Sequence, residues 1–471
     1  MSSEVMAARA RRANGIPAET VAKQWGVGRI LRSPWTWALL FGTVLYAAAL
    51  VWMYLSISAD VEVPGGVMPG INLEAIQRSA LYALPTLAVW VVLFIWLDRY
   101  RPARLALWYL ALGWGACIST AVSMELNTWA AEHLAIAGNG DPATGARAAV
   151  FVAPVVEEAT KATVLFGIAI LLRYRFVTKL QAVALGGLSA AGFAFTENIL
   201  YYSRVIVYAS STIEAGDPEA AFQSIVLLRG VMTAFGHPLF TTFTALGLII
   251  AVRTRSKVVR ILAPVAGYLL AVLGHMMFNL MASLGVHEII MAGSGWLVVL
   301  TITIRLLVGV LGEGRRHADR MTDYVRAGWL DEADVRAFSR QRSRWRNVLV
   351  SVSHGWRAFS ATVGMQRTMS ELVYLRDAET RGLIDAAGHA RERELIERVQ
   401  QLRPAAVTGP SQKFRMPRIP LPRRRRPVAA IDPSWAPPGA SPVQVPAGVV
   451  RTPVGSPEYS PVDPRWGPPK G

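Results

Sequence analysis

Apolar residues in this chain gather into runs of about twenty between Trp35 and Gly312, and no run of that length follows. At the rise of an α-helix, such a run spans the hydrocarbon core of a bilayer. The pattern predicts transmembrane helices, about eight of them by this criterion, at 35–57, 80–97, 105–124, 148–172, 180–202, 224–252, 261–284 and 289–311. The loops test the register. Arg99, Arg101 and Arg104 follow the second span; Arg173, Arg175 and Lys179 the fourth; Arg253, Arg255, Lys257 and Arg260 the sixth; Arg315 and Arg316 the eighth. The intervening loops carry Asp60, Glu62 and Glu74, then Glu132 and Asp141, then Glu214, Asp217 and Glu219, then Glu288. Basic loops stay on the cytosolic side, so this alternation predicts a multi-pass protein of the plasma membrane with both termini in the cytosol. An error of one span would break it.

The expected fold is all-α, a polytopic membrane helical bundle at 35–312. A basic cytosolic tail at 1–34 precedes it, and its first apolar run is too long for a signal-peptide core, so it reads as an uncleaved anchor. At 313–403, mixed charges and scattered apolar positions such as Val325, Phe338, Trp345 and Leu349 predict short amphipathic helices, a solvated or membrane-surface appendage. From 404 to 471 the composition turns to Pro, Arg, Ser and Gly, which predicts a disordered tail.

Composition sharpens this. The chain is 52% hydrophobic and 17% charged, against about 25% charged for a soluble domain. Its formal net charge of +17 lies largely in short loops and the C-terminal third, where anionic lipid headgroups are the simplest partner; no nucleic acid is expected. Cys117 is the only cysteine, which excludes intramolecular disulfides and cysteine-rich metal sites. Any metal must be held by His, Glu, Asp or Asn.

The chemistry lies in the spans themselves. Glu157, Glu158 and Lys161 sit in the fourth, Glu197 and Asn198 in the fifth, His237 in the sixth, His275 and Asn279 in the seventh. Charges at such depth are costly unless paired, hydrated or liganded. Glu157 and Lys161 are four apart and Glu158 and Lys161 three, so one carboxylate can pair with the lysine and leave the other for chemistry. Counting from the outer ends places Glu157 roughly 14 Å deep, and all four positions fall in the outer half or near the midplane. Each residue alone has a plainer reading: a lone histidine joins helices, a Glu-Glu-Lys cluster is structural or a relay. Arg229 and Arg305 read as snorkelling or pairing residues. Convergence in depth on four consecutive spans favours one shared site. Two chemistries suit it. Two histidines and a carboxylate, Glu197 with His237 and His275, are ligands for Zn²⁺, with a further glutamate as general base and Asn279 supporting His275. Alternatively a buried glutamate activates water without metal, while a histidine and an asparagine stabilise the oxyanion.

The motifs Glu157-Glu158-x-x-Lys161, Phe193-x-x-x-Glu197-Asn198, Gly236-His237 and His275-x-x-x-Asn279, in this order, resemble the PrsW family of intramembrane proteases. That family belongs to a wider group with the CAAX prenyl endopeptidases and Abi proteins. In the prenyl endopeptidases the second motif is similar to Phe-x-x-x-His; Glu197 in that place favours PrsW and argues against a prenylated substrate. The resemblance implies peptide-bond cleavage in a membrane-anchored protein, such as an anti-sigma factor. It also implies that Glu157, Glu158, Glu197, His237 and His275 form the catalytic set, with either a zinc or a glutamic mechanism. From other classes, a transporter using the same groups as a relay and a non-catalytic scaffold signalling through the tail are the rivals.

Overall fold

The computed structural model describes residues 30–31, 33–63, 66–99, 102–133, 147–211 and 217–415. Most of the expected N-terminal tail, the tail from 416 onward, and the loop residues Arg101, Asp141 and Glu214 lie outside these. The chain divides into two compact units, Met1–His317 with Ser370–Glu394, and Ala318–Met369 with Leu395–Gly471.

The first unit runs through α1 (Pro34–Ser58), an antiparallel hairpin of β1 (Val61–Val63) and β2 (Gly66–Met68) with Val61 opposite Met68, and α2 (Leu73–Leu97). It continues with α3 (Leu105–Gly113), α4 (Thr120–His133), α5 (Ala153–Leu171), α6 (Lys179–Ser211), α7 (Pro218–Leu227), α8 (Gly236–Val252), α9 (Lys257–Ser283) and most of α10 (Glu288–Arg326). Among the described residues, seven helical stretches are long and apolar enough to cross a bilayer: Pro34–Ile57, Leu73–Leu97, Leu105–Ala130, Lys179–Tyr208, Pro218–Val252, Lys257–Ser283 and Glu288–Arg326. The protein is an all-α polytopic membrane protein. The remaining expected segment, 148–172, is also helical, but Glu157, Glu158 and Lys161 remove it from any purely apolar class.

Helix α6 lies at the centre. Ala182, Ala184, Leu185, Leu188 and Ala190 along it are fully buried, whereas Phe41 on α1, Val89 on α2, Leu262 on α9 and Leu297 on α10 point outward as a lipid-facing surface would. Small residues let α6 meet its neighbours backbone to backbone. A Cβ added to Gly192 would lie 2.1 Å from the Leu112 carbonyl oxygen, and one on Gly115 1.7 Å from that of Ser189. Replacing Gly192 by Ala is therefore expected to destabilise the bundle by about 1–3 kcal/mol. In α5, Gly167→Ala meets nothing within 4 Å and should be neutral or slightly stabilising. Thermal melts of both variants in one detergent check the contrast.

The span expected at 224–252 is present within Pro218–Val252, but its helix is interrupted. After α7 comes a π-helical turn, Leu228–Met232, then non-helical chain until α8 starts at Gly236. The cause is Pro238, whose ring collides with the carbonyl of the residue four before it, Ala234. Backbone carbonyls freed by the break are taken up by side chains: Trp90 Nε1 donates to Ala234 O at 3.1 Å, Thr86 Oγ1 to Gly230 O at 2.7 Å and Trp296 Nε1 to Met232 O at 2.8 Å. Further π-helical turns join α3 to α4 (Trp114–Ser119) and lead into α5 (Ala148–Val152). At the Arg-rich ends of the helices, Ser370–Glu394 completes this unit. There Tyr174 Oη donates to Glu371 Oε1 at 2.7 Å, Arg253 Nη2 to Asp377 Oδ2 at 2.7 Å and Arg255 Nε to Gly382 O at 2.9 Å.

The second unit holds α11 (Glu332–Phe338), α12 (Gln341–Val352), the first part of α13 (Trp356–Thr380) and the end of α14 (Ala386–Leu402). Asp331 and Asp334 cap α11 reciprocally, and Arg403 donates to both, at 2.9 and 2.6 Å. Phe338, Met365, Met369 and Val399 are buried in it.

Candidate active site

Helix α5 begins with Pro154 one residue in, so its second turn carries Glu157 and Glu158 and its third Lys161, all three buried. Glu158 is held from every side. Lys161 Nζ donates to its Oε1 at 2.6 Å, His275 Nδ1 to the same oxygen at 3.2 Å, and Thr241 Oγ1 to Oε2 at 2.7 Å. Phe193 stands over the ammonium, with Lys161 Nζ 4.3 Å from the ring centroid, which gives a physical reason for an aromatic one turn before Glu197. Lys161 Nζ also lies 3.0 Å from His237 Nδ1.

His237 is the second residue of α8, directly after the break. Its Nε2 donates to Glu197 Oε2 at 2.7 Å, and Glu197 is in turn clasped by Arg229, whose Nε also donates to Asn198 Oδ1 at 3.0 Å. Arg229 packs on the Tyr201 ring, 3.8 Å from its centroid. Each histidine thus has one ring nitrogen on a carboxylate: Nε2 of His237 on Glu197, Nδ1 of His275 on Glu158. The other nitrogens face Glu157.

Glu157 Oε2 is buried and has no hydrogen-bond partner. Lys161 Nζ lies 3.6 Å from it, and His237 Nδ1 and His275 Nε2 each 3.9 Å, so three nitrogens ring the oxygen just beyond hydrogen-bonding distance. Glu157, His237 and His275 each offer a ligand atom, all within 4.8 Å of one another. These residues line a cavity of about 100 Å³, shared with Thr86 and Trp90 of α2, Asn198, Tyr201, Arg229, Phe240 and Asn279. That volume admits a few waters.

The chain between these helices is long, yet Glu157, Glu158, Lys161, Glu197, His237 and His275 meet at one place. Asn279 lines the same cavity, but its Nδ2 donates to Ala149 O at 2.8 Å, on the turn leading into α5, and not to His275. The carboxylate the distances group with the two histidines is Glu157, where the sequence suggested Glu197. Two contributors escaped sequence reading. Thr241 carried a faint signal, one helical turn beyond His237; Arg229 was visible as an intramembrane charge, but its partner was not.

Residues 101–308, which hold every one of these side chains except Thr86 and Trp90, match the family model of the PrsW family intramembrane metalloproteases. This part of the chain is similar to the PrsW family. Comparison with curated proteins and with solved structures gave no match to the chain. The PrsW match supports an intramembrane peptidase and, with the seven apolar helices, a multi-pass membrane protein. The matched segment also offers a donor set that suits a divalent cation: one carboxylate oxygen without a hydrogen-bond partner and two imidazole nitrogens turned toward it, each ring steadied through its other nitrogen.

Proposed function

We propose that this protein is an intramembrane endopeptidase that hydrolyses peptide bonds of membrane-anchored substrates, regulators of the anti-sigma type among them, using water activated by Glu157. The observation that carries the reading is the partnerless Glu157 Oε2, ringed by three nitrogens at the wall of a small cavity. Glu158 has its oxygens occupied, whereas Glu157 has one to spare, so Glu157 takes the proton of the attacking water and returns it to the leaving nitrogen. Lys161 holds Glu158 and, through it, His275. Arg229 holds Glu197, which fixes the tautomer of His237 by accepting from Nε2. With Nε2 of His237 and Nδ1 of His275 donating to Glu197 and Glu158, the opposite ring nitrogens present lone pairs toward Glu157, the form in which imidazole binds a metal ion. Were Zn²⁺ bound, Glu157, His237 and His275 would hold it and it would supply Lewis acidity to water and carbonyl, with Glu157 then a ligand in place of the base. Asn279 steadies the entry to α5 through Ala149.

We place the domain in the plasma membrane with both termini cytosolic, its basic loops against anionic headgroups, and cleavage in the outer half of the substrate's span. The test is co-expression of single-span membrane proteins with wild type or His275→Ala, with released fragments read by mass spectrometry and metal content measured on both purified proteins. Fragments seen only with wild type, and a divalent metal present near one per chain and lost in the variant, are expected. A folded wild type that releases nothing, or a cation flux dependent on Glu197 and His237, would return the site to a relay.

A further inference from the structure

Helix α12 is amphipathic the wrong way round for a helix that packs only against its own protein. Its inward face carries Arg344, Asn347 and Ser351 with Val350, all buried, and Gln366 Nε2 of α13 donates to Arg344 O at 2.9 Å. Its outward face carries Trp345, Leu349 and Val352, which are 60%, 61% and 59% exposed, and Trp356 continues the stripe at 76%. Trp345, Leu349 and Val352, spaced four and three apart, share one helical face, and Trp356 follows across the turn as the first residue of α13. Gly355, at φ +92°, joins α12 to α13 with open space around it. Arg346 donates to the carbonyls of Gly409, Pro410 and Gln412, fastening there a segment that ends in Phe414, itself 60% exposed.

What surrounds the apolar stripe identifies its occupant. Between residues 340 and 357 there is no Asp or Glu, and of the arginines there Arg340, Arg342 and Arg357 are exposed, while Arg344 is buried and Arg346 is held by carbonyls. The C-terminal stretch 416–471 has eight basic residues against Asp432, Glu458 and Asp463, so the same sign of charge disfavours it as the cover. A second copy would bring the same basic face against itself. Two tryptophans and aliphatic side chains flanked by arginines suit the boundary between headgroups and acyl chains, where indole rings settle and guanidinium groups reach phosphates. We propose that the face formed by Trp345, Leu349, Val352 and Trp356 docks on the surface of a bilayer containing anionic lipid. The active-site reading plays no part in this inference.

The test uses the full-length chain in nanodiscs, with the single cysteine moved by combining Cys117→Ser with Val352→Cys and labelling with an environment-sensitive dye. In phosphatidylglycerol-containing bilayers the label is expected to shift its emission to shorter wavelength, become shielded from iodide and be quenched by lipids brominated along the acyl chain. In phosphatidylcholine alone the shift should be smaller. Adding Arg342→Gln and Arg357→Gln, both at exposed positions, should lower the ratio of docked to undocked label roughly 30-fold. Trp345→Glu should abolish the shift. A label that stays open to iodide in anionic bilayers overturns the proposal. So does shielding that ignores lipid charge and grows with protein density, which assigns the face to a second copy, or that requires an added acidic protein.

Discussion

Glu157→Gln is expected to slow cleavage of a membrane-anchored substrate by about 10²–10⁴-fold while the protein remains folded and inserted. The amide keeps the shape of the side chain and gives up only its ability to take a proton and to serve as an anionic ligand. Since Glu157 Oε2 has no hydrogen-bond partner, no network is broken by the change, so the loss should fall on kcat and not on the melting temperature. Glu158→Gln provides the contrast. Its carboxylate accepts from Lys161, His275 and Thr241, and an amide cannot accept all three, so stability as well as activity should fall. Rates from a quantified cleavage assay, read beside melts of the same samples, separate the two. Equal melting losses in both variants, or full activity in Glu157→Gln, would reverse the assignment.

Lys161→Met is expected to be the most destabilising single change in the membrane domain, by about 3–5 kcal/mol, because it leaves a buried carboxylate without its counter-charge. Lys161 is fully buried, 2.6 Å from Glu158, with Ser189 Oγ donating to its backbone carbonyl at 3.0 Å. A loss of that size corresponds to a fall of roughly 10 °C in melting temperature. Combining Lys161→Met with Glu158→Gln removes both charges together, so much of the stability should return, while activity does not, since His275 has lost its anionic partner. Differential scanning fluorimetry of the two single variants and the double variant gives the coupling directly. Additive losses would mean that the pair is not the unit described here.

That these spans share a polar site was legible from the chain alone, and azimuth was not. Counting residues at the helical rise put Glu157, Glu197, His237 and His275 at similar levels, and the structure brings them to one cavity. Which carboxylate stands free depended on rotation of α5 about its axis, and that is set by contacts with residues 83 and 117 positions away, Thr241 and His275. The break before His237 had a local cause in Pro238, yet it is tolerable inside a membrane only because Trp90, Thr86 and Trp296 from other helices satisfy the carbonyls it frees. Ser370–Glu394 shows the same limit. Its charges read as a solvated face until Glu371 and Asp377 are seen against Tyr174 and Arg253.

By itself the sequence determined that this is a polytopic helical protein, where its apolar spans run, and which of them carry the motifs that resemble the PrsW family. These follow from runs of side chains and from loop charge, properties that need no partner to be defined. Only the tertiary structure decided that Glu158 is saturated and Glu157 is not, that Arg229 belongs to Glu197, and that α12 turns Trp345 outward. Each of those is a competition among polar or apolar groups for a limited set of neighbours, and the winner is settled by how helices distant in the chain pack.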